Sequence, residues 1–209
     1  MRRSRIQAME PAAIEPASAA DEMDRAEESG REIVNPVSGE RIIIRQSGAQ
    51  TGGQLLEFDL YLPPGGHVPA RHAHPSQEER FTVVAGRMRF RLGRRAFVAQ
   101  VGETVTIPVG VAHWFGAAGA EAAQARVQVR PALRMQELFE MTEALGQSSA
   151  GARRGAWLAR LADLAQVVLD YQREVAVPHI PVPVVRIALA PLAWLGRRRS
   201  RRAAPFSRA

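Results

Sequence analysis

The chain of 209 residues contains no cysteine and no lysine, so all 28 of its basic residues are arginines. Without cysteine it forms no disulfides, no thiolate metal sites, no iron–sulfur clusters and no cysteine nucleophile. Without lysine it has no Walker-type phosphate-binding lysine, no Schiff-base lysine and no lysine general base. The two absences exclude several common kinds of catalytic and metal site.

Long hydrophobic runs are also missing. No stretch of eighteen apolar residues occurs, so we expect no membrane-spanning helix. The basic start, Met1–Arg5, is followed by acidic residues and prolines rather than by the hydrophobic region of a signal peptide. Hydrophobic residues make up 46% of the chain and charged residues 23%, which is typical of globular proteins. We therefore expect a folded cytoplasmic protein.

The net charge of +7 is concentrated at the C-terminal end, where residues 132–209 hold twelve arginines and six acidic residues. Nucleic-acid binding requires a basic face combined with a recognition motif, and the sequence contains no such motif. We therefore predict no nucleic-acid partner and interpret the arginine-rich end as solvated.

Composition divides the chain into three regions. Residues 1–32 are rich in Ala, Glu, Pro and Ser and are predicted to be a disordered leader. Residues 33–131 contain short β-type runs separated by Gly and Pro, which predicts an antiparallel sandwich or barrel. Residues 132–209 form a predicted helical extension with an arginine-rich tail. The candidate strands are Arg41–Arg45, Leu55–Leu62, Arg71–His74, Arg80–Val84, Arg87–Leu92, Ala96–Val101, Thr104–Ile107, His113–Phe115 and Ala123–Arg130.

Helical periodicity begins after Pro131. Apolar residues spaced by three and four predict one helix from about Met135 to Leu145 and a second over roughly 154–173. Three prolines, at 178, 181 and 183, then predict an extended link. The apolar segment Val184–Leu195 follows, interrupted by Arg186 and Pro191.

Two histidines and a glutamate are the strongest chemical signal. His72 and His74 lie two residues apart on a predicted strand, so both side chains leave the same face. Glu79 follows after a short loop that can turn the chain into a neighbouring strand. On that strand Glu79 shares its face with apolar Phe81, which places Glu79 toward the core and Glu78 toward solvent.

A buried carboxylate beside buried imidazoles is costly without a charge partner, and a divalent metal supplies one. His113 follows a Pro–Gly turn on an apolar strand and can also point inward. Three neutral imidazoles and one carboxylate suit Fe²⁺, Mn²⁺, Ni²⁺, Cu²⁺ or Zn²⁺. An octahedral ion held by these four groups keeps two positions for water, O₂ or substrate.

The spacing of these residues resembles the two signature motifs of the cupin superfamily. The first motif, G-x5-H-x-H-x4-E-x6-G, covers residues 66–86. The second, G-x5-P-x-G-x2-H, covers residues 102–113, and Ala117 stands where the family usually has Asn. The resemblance implies a double-stranded β-helix, the cupin jelly-roll barrel, with a C-terminal α-helical extension outside the match. It also implies a divalent first-row metal on His72, His74, Glu79 and His113.

Several functions remain open, because cupins support many chemistries on one fold. One is a small-molecule metalloenzyme, either dioxygenase-like or a Lewis-acid isomerase or cyclase, with His67 and Tyr61 as weak candidate catalytic residues. Another is a non-catalytic metal- or small-molecule-binding module. A third is association with a membrane surface through residues 183–202. We expect a small-molecule ligand and a homodimer.

Overall fold

A computed structural model describes residues 30–35, 38–68, 70–150, 157–178, 180 and 182–203, and these contain nine strands and three helices. The strands are β1 (Glu32–Val34), β2 (Arg41–Gln46), β3 (Leu56–Leu62), β4 (Glu78–Ala85), β5 (Arg87–Leu92), β6 (Arg95–Gln100), β7 (Thr104–Ile107), β8 (His113–Ala117) and β9 (Ala123–Arg130). The helices are α1 (Met135–Ala150), α2 (Trp157–Asp170) and α3 (Val182–Ala203).

The strands form two sheets in which every neighbouring pair is antiparallel. One sheet has the order β1-β2-β3-β9-β4-β7 and the other has the order β6-β5-β8. Their inner faces meet around Phe81, whose ring lies 5.4 Å from that of Phe90 and 4.8 Å from that of Phe115. Within the described residues the two hydrogen-bonded sheets do not close into one barrel. The predicted jelly-roll architecture with helices at its C-terminal end is confirmed.

Alternation of side chains along the strands positions the core as predicted. In β5, Met88 and Phe90 are fully buried while Arg89 and Arg91 face solvent. The pattern arises because successive side chains leave opposite faces of a strand. The short strand β1 was not predicted, and it begins at Glu32, inside the region interpreted as a leader. Residues 1–29 of that leader lie outside the described part of the chain.

An extended segment, described over residues 66–68 and 70–74, runs along the outer side of β8. The His72 and His113 backbones exchange both hydrogen bonds, at 3.0 and 2.7 Å, and the Ala117 N–H donates to the Gly66 carbonyl. Gly116 allows this close approach, because a Cβ there would lie 2.7 Å from the His67 Cβ. The predicted strand over 71–74 is therefore reduced to isolated bridges.

The helical extension completes the core instead of standing apart from it. In α1 the Phe139 ring packs edge-on against Phe58 of β3, with the ring centroids 5.2 Å apart. Met135 of α1 and Val167 of α2 are buried in the same apolar cluster as the strand residues. After α2, the Ala176 backbone pairs with Ala73 of the extended segment. This pairing connects the extension to the segment that holds two of the histidines.

Helix α3 differs from the sequence-based expectation. We predicted an extended link through Pro183 and an interruption at Pro191, but the helix begins at Val182 and continues through Pro191. A proline in the first turn costs little, since its missing N–H would have no helical partner there. An internal proline costs about 3 kcal/mol. Packing of α3 along α2 offsets this cost, and Ala193 is fully buried there. No described helix is long and apolar enough to cross a bilayer.

Candidate metal centre

The two sheets bring together the four side chains that the sequence singles out. His72, His74, Glu79 and His113 each offer one ligand atom, and these atoms lie within 4.8 Å of one another. The extended segment supplies His72 and His74, the start of β4 supplies Glu79, and the start of β8 supplies His113. His113 is fully buried, His74 and Glu79 are almost fully buried, and His72 is half-buried.

Backbone carbonyls orient all three imidazole rings. The Nδ1 atom of each ring lies at hydrogen-bond distance from a carbonyl oxygen, which can only accept, so each Nδ1 carries the proton. In the neutral ring the Nε2 atom then keeps its lone pair free to bind a metal. The partners are Ala70 at 3.0 Å for His72, Val111 at 2.9 Å for His113, and Glu174 for His74.

Three buried polar atoms at the centre of the cluster have unsatisfied bonding capacity. The Nε2 atoms of His74 and His113 each lie 3.2 Å from the same Glu79 oxygen, Oε2. Even so, none of these three atoms makes a hydrogen bond of acceptable geometry to any described residue. Buried polar atoms are nearly always satisfied in native proteins. Two imidazole nitrogens and a carboxylate oxygen converging in this way fit a divalent metal ion.

The electrostatics of the cluster favour the metal-binding protonation states of His72 and Glu79. Burial, followed by the neighbouring His113 and His74, lowers the pKa of His72 to about 4. Burial alone would raise the pKa of Glu79, but His74 and His113 outweigh it and hold this pKa below its usual range. At neutral pH His72 is therefore a neutral imidazole and Glu79 a carboxylate, which are the forms that coordinate metals. Burial lowers the pKa of His74, but the neighbouring Glu79 carboxylate outweighs burial and raises it, so a metal ion competes with a proton at this imidazole.

The structure distinguishes the two adjacent glutamates as the strand parity predicted. Glu79 is buried on the face of β4 that also buries Phe81 and Val83. Glu78 is half-buried on the opposite face, where it pairs in register with Arg130 of β9. The predicted orientation of Glu79 toward the core is confirmed.

A cavity of about 350 Å³ adjoins the cluster, and His72, His74 and Glu79 form part of its wall. Apolar side chains from β1 to β4, from β8 and from helices α1 and α2 form most of the rest. Its helical side is built from Met135, Leu138, Phe139, Leu164, Val167 and Val168. The extension that lay outside the sequence motifs therefore supplies one side of the candidate site.

Glu40 was missed at the sequence level. It stands just before β2, lines the cavity and is half-buried. Burial raises its pKa to about 7; a hydrogen bond from the Ser38 hydroxyl at 3.2 Å lowers the pKa, and repulsion by Glu79 raises it. A single glutamate after a turn carries no distinctive sequence signal. Only the folded arrangement places its carboxyl group in the same cavity as the histidines.

The two weak catalytic candidates lie elsewhere. Tyr61 is on the face of β3 opposite the cavity-lining Leu60, and its hydroxyl accepts a hydrogen bond from Gln124 at 3.2 Å. The exposed His67 packs against Trp114, with 5.4 Å between the ring centroids. Neither side chain lines the cavity. The structure therefore does not bring Tyr61 or His67 to the candidate metal centre.

Comparison with known proteins points to one family. Residues 58–128 match the family model described as a cupin domain. A cupin-superfamily sugar phosphate isomerase from Silicibacter pomeroyi is 19% identical, with a TM-score of 0.44 over 49% of this chain and 72% of that one. A predicted oxalate decarboxylase from Thermotoga maritima is 17% identical, with a TM-score of 0.45 over 49% of this chain and 92% of that one. No curated protein matches the chain. Residues 58–128, which contain all four clustered side chains, are therefore a cupin domain.

Proposed function

We propose that this chain is a metal-dependent enzyme that acts on a small organic molecule. The observation that carries the proposal is the convergence of buried, unsatisfied atoms of His74, Glu79 and His113 beside a cavity. A purely structural cluster would be expected to satisfy these atoms within the protein. His72, His74, Glu79 and His113 would hold the ion.

The donor set restricts the metal to divalent first-row ions such as Fe²⁺, Mn²⁺, Ni²⁺, Cu²⁺ or Zn²⁺. When bound, the ion supplies either Lewis-acid polarisation of a carbonyl oxygen or, if it is iron, a site for O₂ chemistry. The hydrogen bonds from Nδ1 to backbone carbonyls fix the tautomer and orientation of each imidazole ring. The imidazole rings are thus already oriented for coordination before the ion binds.

Glu40 is the side chain best placed to move a proton in the cavity. A catalytic acid or base works best when its pKa lies close to the operating pH. The carboxyl group of Glu40 meets this condition, since burial raises its pKa to about 7. We assign it the role of accepting or donating a proton at a substrate bound beside the metal ligands.

The presence of this titratable group favours an enzyme over the alternative, a metal- or ligand-binding module without catalysis. Within the enzyme class, Glu40 fits enolisation, isomerisation or cyclisation at a polarised carbonyl better than it fits dioxygenase chemistry, which needs no protein acid in the same position. The dioxygenase-like reaction is the alternative within the enzyme class, and the experiment below distinguishes the two.

The experiment begins with elemental analysis of the full chain purified without chelator. The metal-loaded protein is then screened against ketones and enols in D₂O for deuterium incorporation next to the carbonyl, and in parallel for O₂ uptake. Glu40→Gln should abolish the deuterium exchange while metal content is unchanged. O₂ uptake without exchange would support the dioxygenase-like reaction. Stoichiometric metal without either activity would support the binding module, and absence of metal would refute the proposal.

A further inference from the structure

The cavity beside the candidate metal ligands has mainly apolar walls. Among the described residues, its lining contains fourteen large apolar or aromatic side chains, together with Ala70. The polar side chains in the lining, besides the three metal-ligand candidates, are Asn35, Glu40 and Thr142. No arginine is among the described residues that line it, although arginine is the only strongly basic residue in the chain.

This charge distribution disfavours highly anionic ligands. A phosphate or dicarboxylate group entering the cavity would lose its hydration, and the described lining residues offer no arginine to replace it. A divalent ion on Glu79 leaves about one net positive charge, which suits one neutral or singly charged oxygen head group. The remainder of the ligand would contact hydrocarbon.

The volume and the position of the opening fit a molecule of moderate size. About 350 Å³ corresponds to roughly a dozen water-sized volumes, within the lower range of small-molecule sites. Leu164 of α2 lines the cavity and is 53% exposed, so the cavity reaches the surface beside this helix. The metal-ligand candidates that line the cavity come from the extended segment (His72 and His74) and from β4 (Glu79).

We propose that the substrate is an apolar molecule of about a dozen non-hydrogen atoms, with a single metal-binding oxygen head group at the histidine cluster and a hydrocarbon or aromatic body against α1 and α2. This proposal rests on the proposed function, because it uses the same metal ion. It adds that helices outside the cupin motifs determine which substrate is accepted.

The test compares ligands that share a head group and differ in their apolar part. Acetohydroxamate and octanohydroxamate present the same chelating group, and the second has six more methylenes. Each buried methylene increases affinity about fourfold. Calorimetry on the metal-loaded full chain should show that octanohydroxamate binds at least about 100-fold more tightly than acetohydroxamate. Oxalate and a sugar phosphate should bind more weakly than octanohydroxamate.

Two variants on the same helix locate the effect. Val168 lines the cavity, whereas Leu161 is exposed and does not. Val168→Trp should reduce octanohydroxamate affinity by about tenfold or more while leaving acetohydroxamate affinity and metal content unchanged. Leu161→Trp should change none of these quantities. Because the comparison of ligands uses the unmodified chain, the test stands even if Val168→Trp fails to fold.

The outcomes separate this inference from the proposed function. If metal binds and the two hydroxamates have affinities within about threefold of each other, the apolar substrate is wrong and the metal site stands. If oxalate or the sugar phosphate binds best, the inference is equally overturned. If no metal binds, the proposed function fails, and the cavity is tested with 1-octanol against 1-butanol. Equal binding of the two alcohols would then overturn the apolar site as well.

Discussion

The imidazole of His74 donates its Nδ1 proton to the backbone carbonyl of Glu174, one hundred residues later in the chain. Beside this contact, the Ala73 and Ala176 backbones exchange hydrogen bonds of 3.1 and 2.9 Å. Residues 171–174 form the turn that follows α2. The buried Glu174 carboxylate stabilises this turn by accepting a hydrogen bond from the backbone N–H of Arg134 at 3.2 Å. The helical extension thus orients one of the candidate metal ligands.

Breaking this connection should weaken metal binding. Ala176→Pro removes the N–H that donates to the Ala73 carbonyl, and Ala176→Ser retains it. Because partners of metal ligands typically contribute 10- to 100-fold in metal affinity, we expect Ala176→Pro to lose about tenfold. Competition with a fluorescent chelator measures this affinity. An unchanged affinity in a folded Ala176→Pro protein would show that the extension does not position His74.

The adjacent carboxylates provide a second test, because only one of them points inward. Glu79→Gln removes the anionic oxygen that lies 3.2 Å from two imidazole nitrogens. We expect it to reduce metal affinity by about 100-fold or more, while Glu78→Gln changes it little. Elemental analysis after dialysis measures retained metal. Equal losses in the two variants would mean that Glu79 is not a ligand.

The histidines should behave as a set. Replacing His72 and His74 together by alanine leaves two of four donors, so the double variant should retain almost no metal. His67→Ala serves as the matched control, because this histidine lies outside the cluster. Stoichiometric metal in the double variant would refute the site.

The raised pKa of Glu40 predicts that the protein loses stability as pH rises toward neutrality. The pKa of Glu40 is about 4.5 in an unfolded chain and about 7 in the folded protein, mainly because of burial. The folded state therefore binds this proton more tightly, so the contribution of Glu40 to stability is full below about pH 4.5 and is lost as pH rises through about 7. Glu40→Gln imitates the protonated form and lacks this loss.

We therefore expect Glu40→Gln to be more stable than the unmodified protein at about pH 8, by an amount on the order of 1 kcal/mol, and similar to it at about pH 4.5. Urea denaturation of metal-free protein at both pH values measures the difference. Glu121→Gln, at an exposed loop position, is the control and should show no such trend. A difference that grows toward low pH would contradict the assignment.

Helix α3 exposes large apolar side chains, with Ile187 at 77% and Trp194 at 47% exposure, while Ala193 is fully buried. Because α3 packs on α2 within the chain, we expect its outer face to contact a second copy. Ala193→Asp should then destabilise the fold by about 2 kcal/mol or more, and Ile187→Arg should shift a dimer toward monomer. Thermal denaturation and light scattering measure these effects.

The membrane alternative predicts a different result for the same helix. A protein held at a bilayer surface would float with anionic vesicles in a salt-sensitive manner, and Ile187→Arg would alter that flotation rather than the molecular mass. We expect that the intact chain does not float with such vesicles at physiological salt. Flotation of a monomeric protein would overturn the dimer and support membrane association.

Short-range patterns predicted strands β2 to β9 and the direction of Glu79, because alternation is a local property of an extended backbone. They missed β1 and predicted a strand over 71–74 where the structure has isolated bridges. They did not predict the course of α3, since whether a helix tolerates Pro191 depends on its packing against α2. Glu40 and Glu174 were missed for a related reason. Each is an ordinary glutamate in sequence, and its role arises from residues far away in the chain.

A ligand that binds in the cavity between the strands and helices α1 and α2 should stabilise the folded protein as well as take part in its chemistry. A void of about 350 Å³ removes packing contacts from both layers, and an apolar occupant would restore them. Any compound that fills it binds the folded state alone, so a ligand at about 100 times its dissociation constant would add about 2.7 kcal/mol to the free energy of unfolding. A thermal-shift screen of hydrophobic metabolites therefore tests for ligands of this cavity without an activity assay.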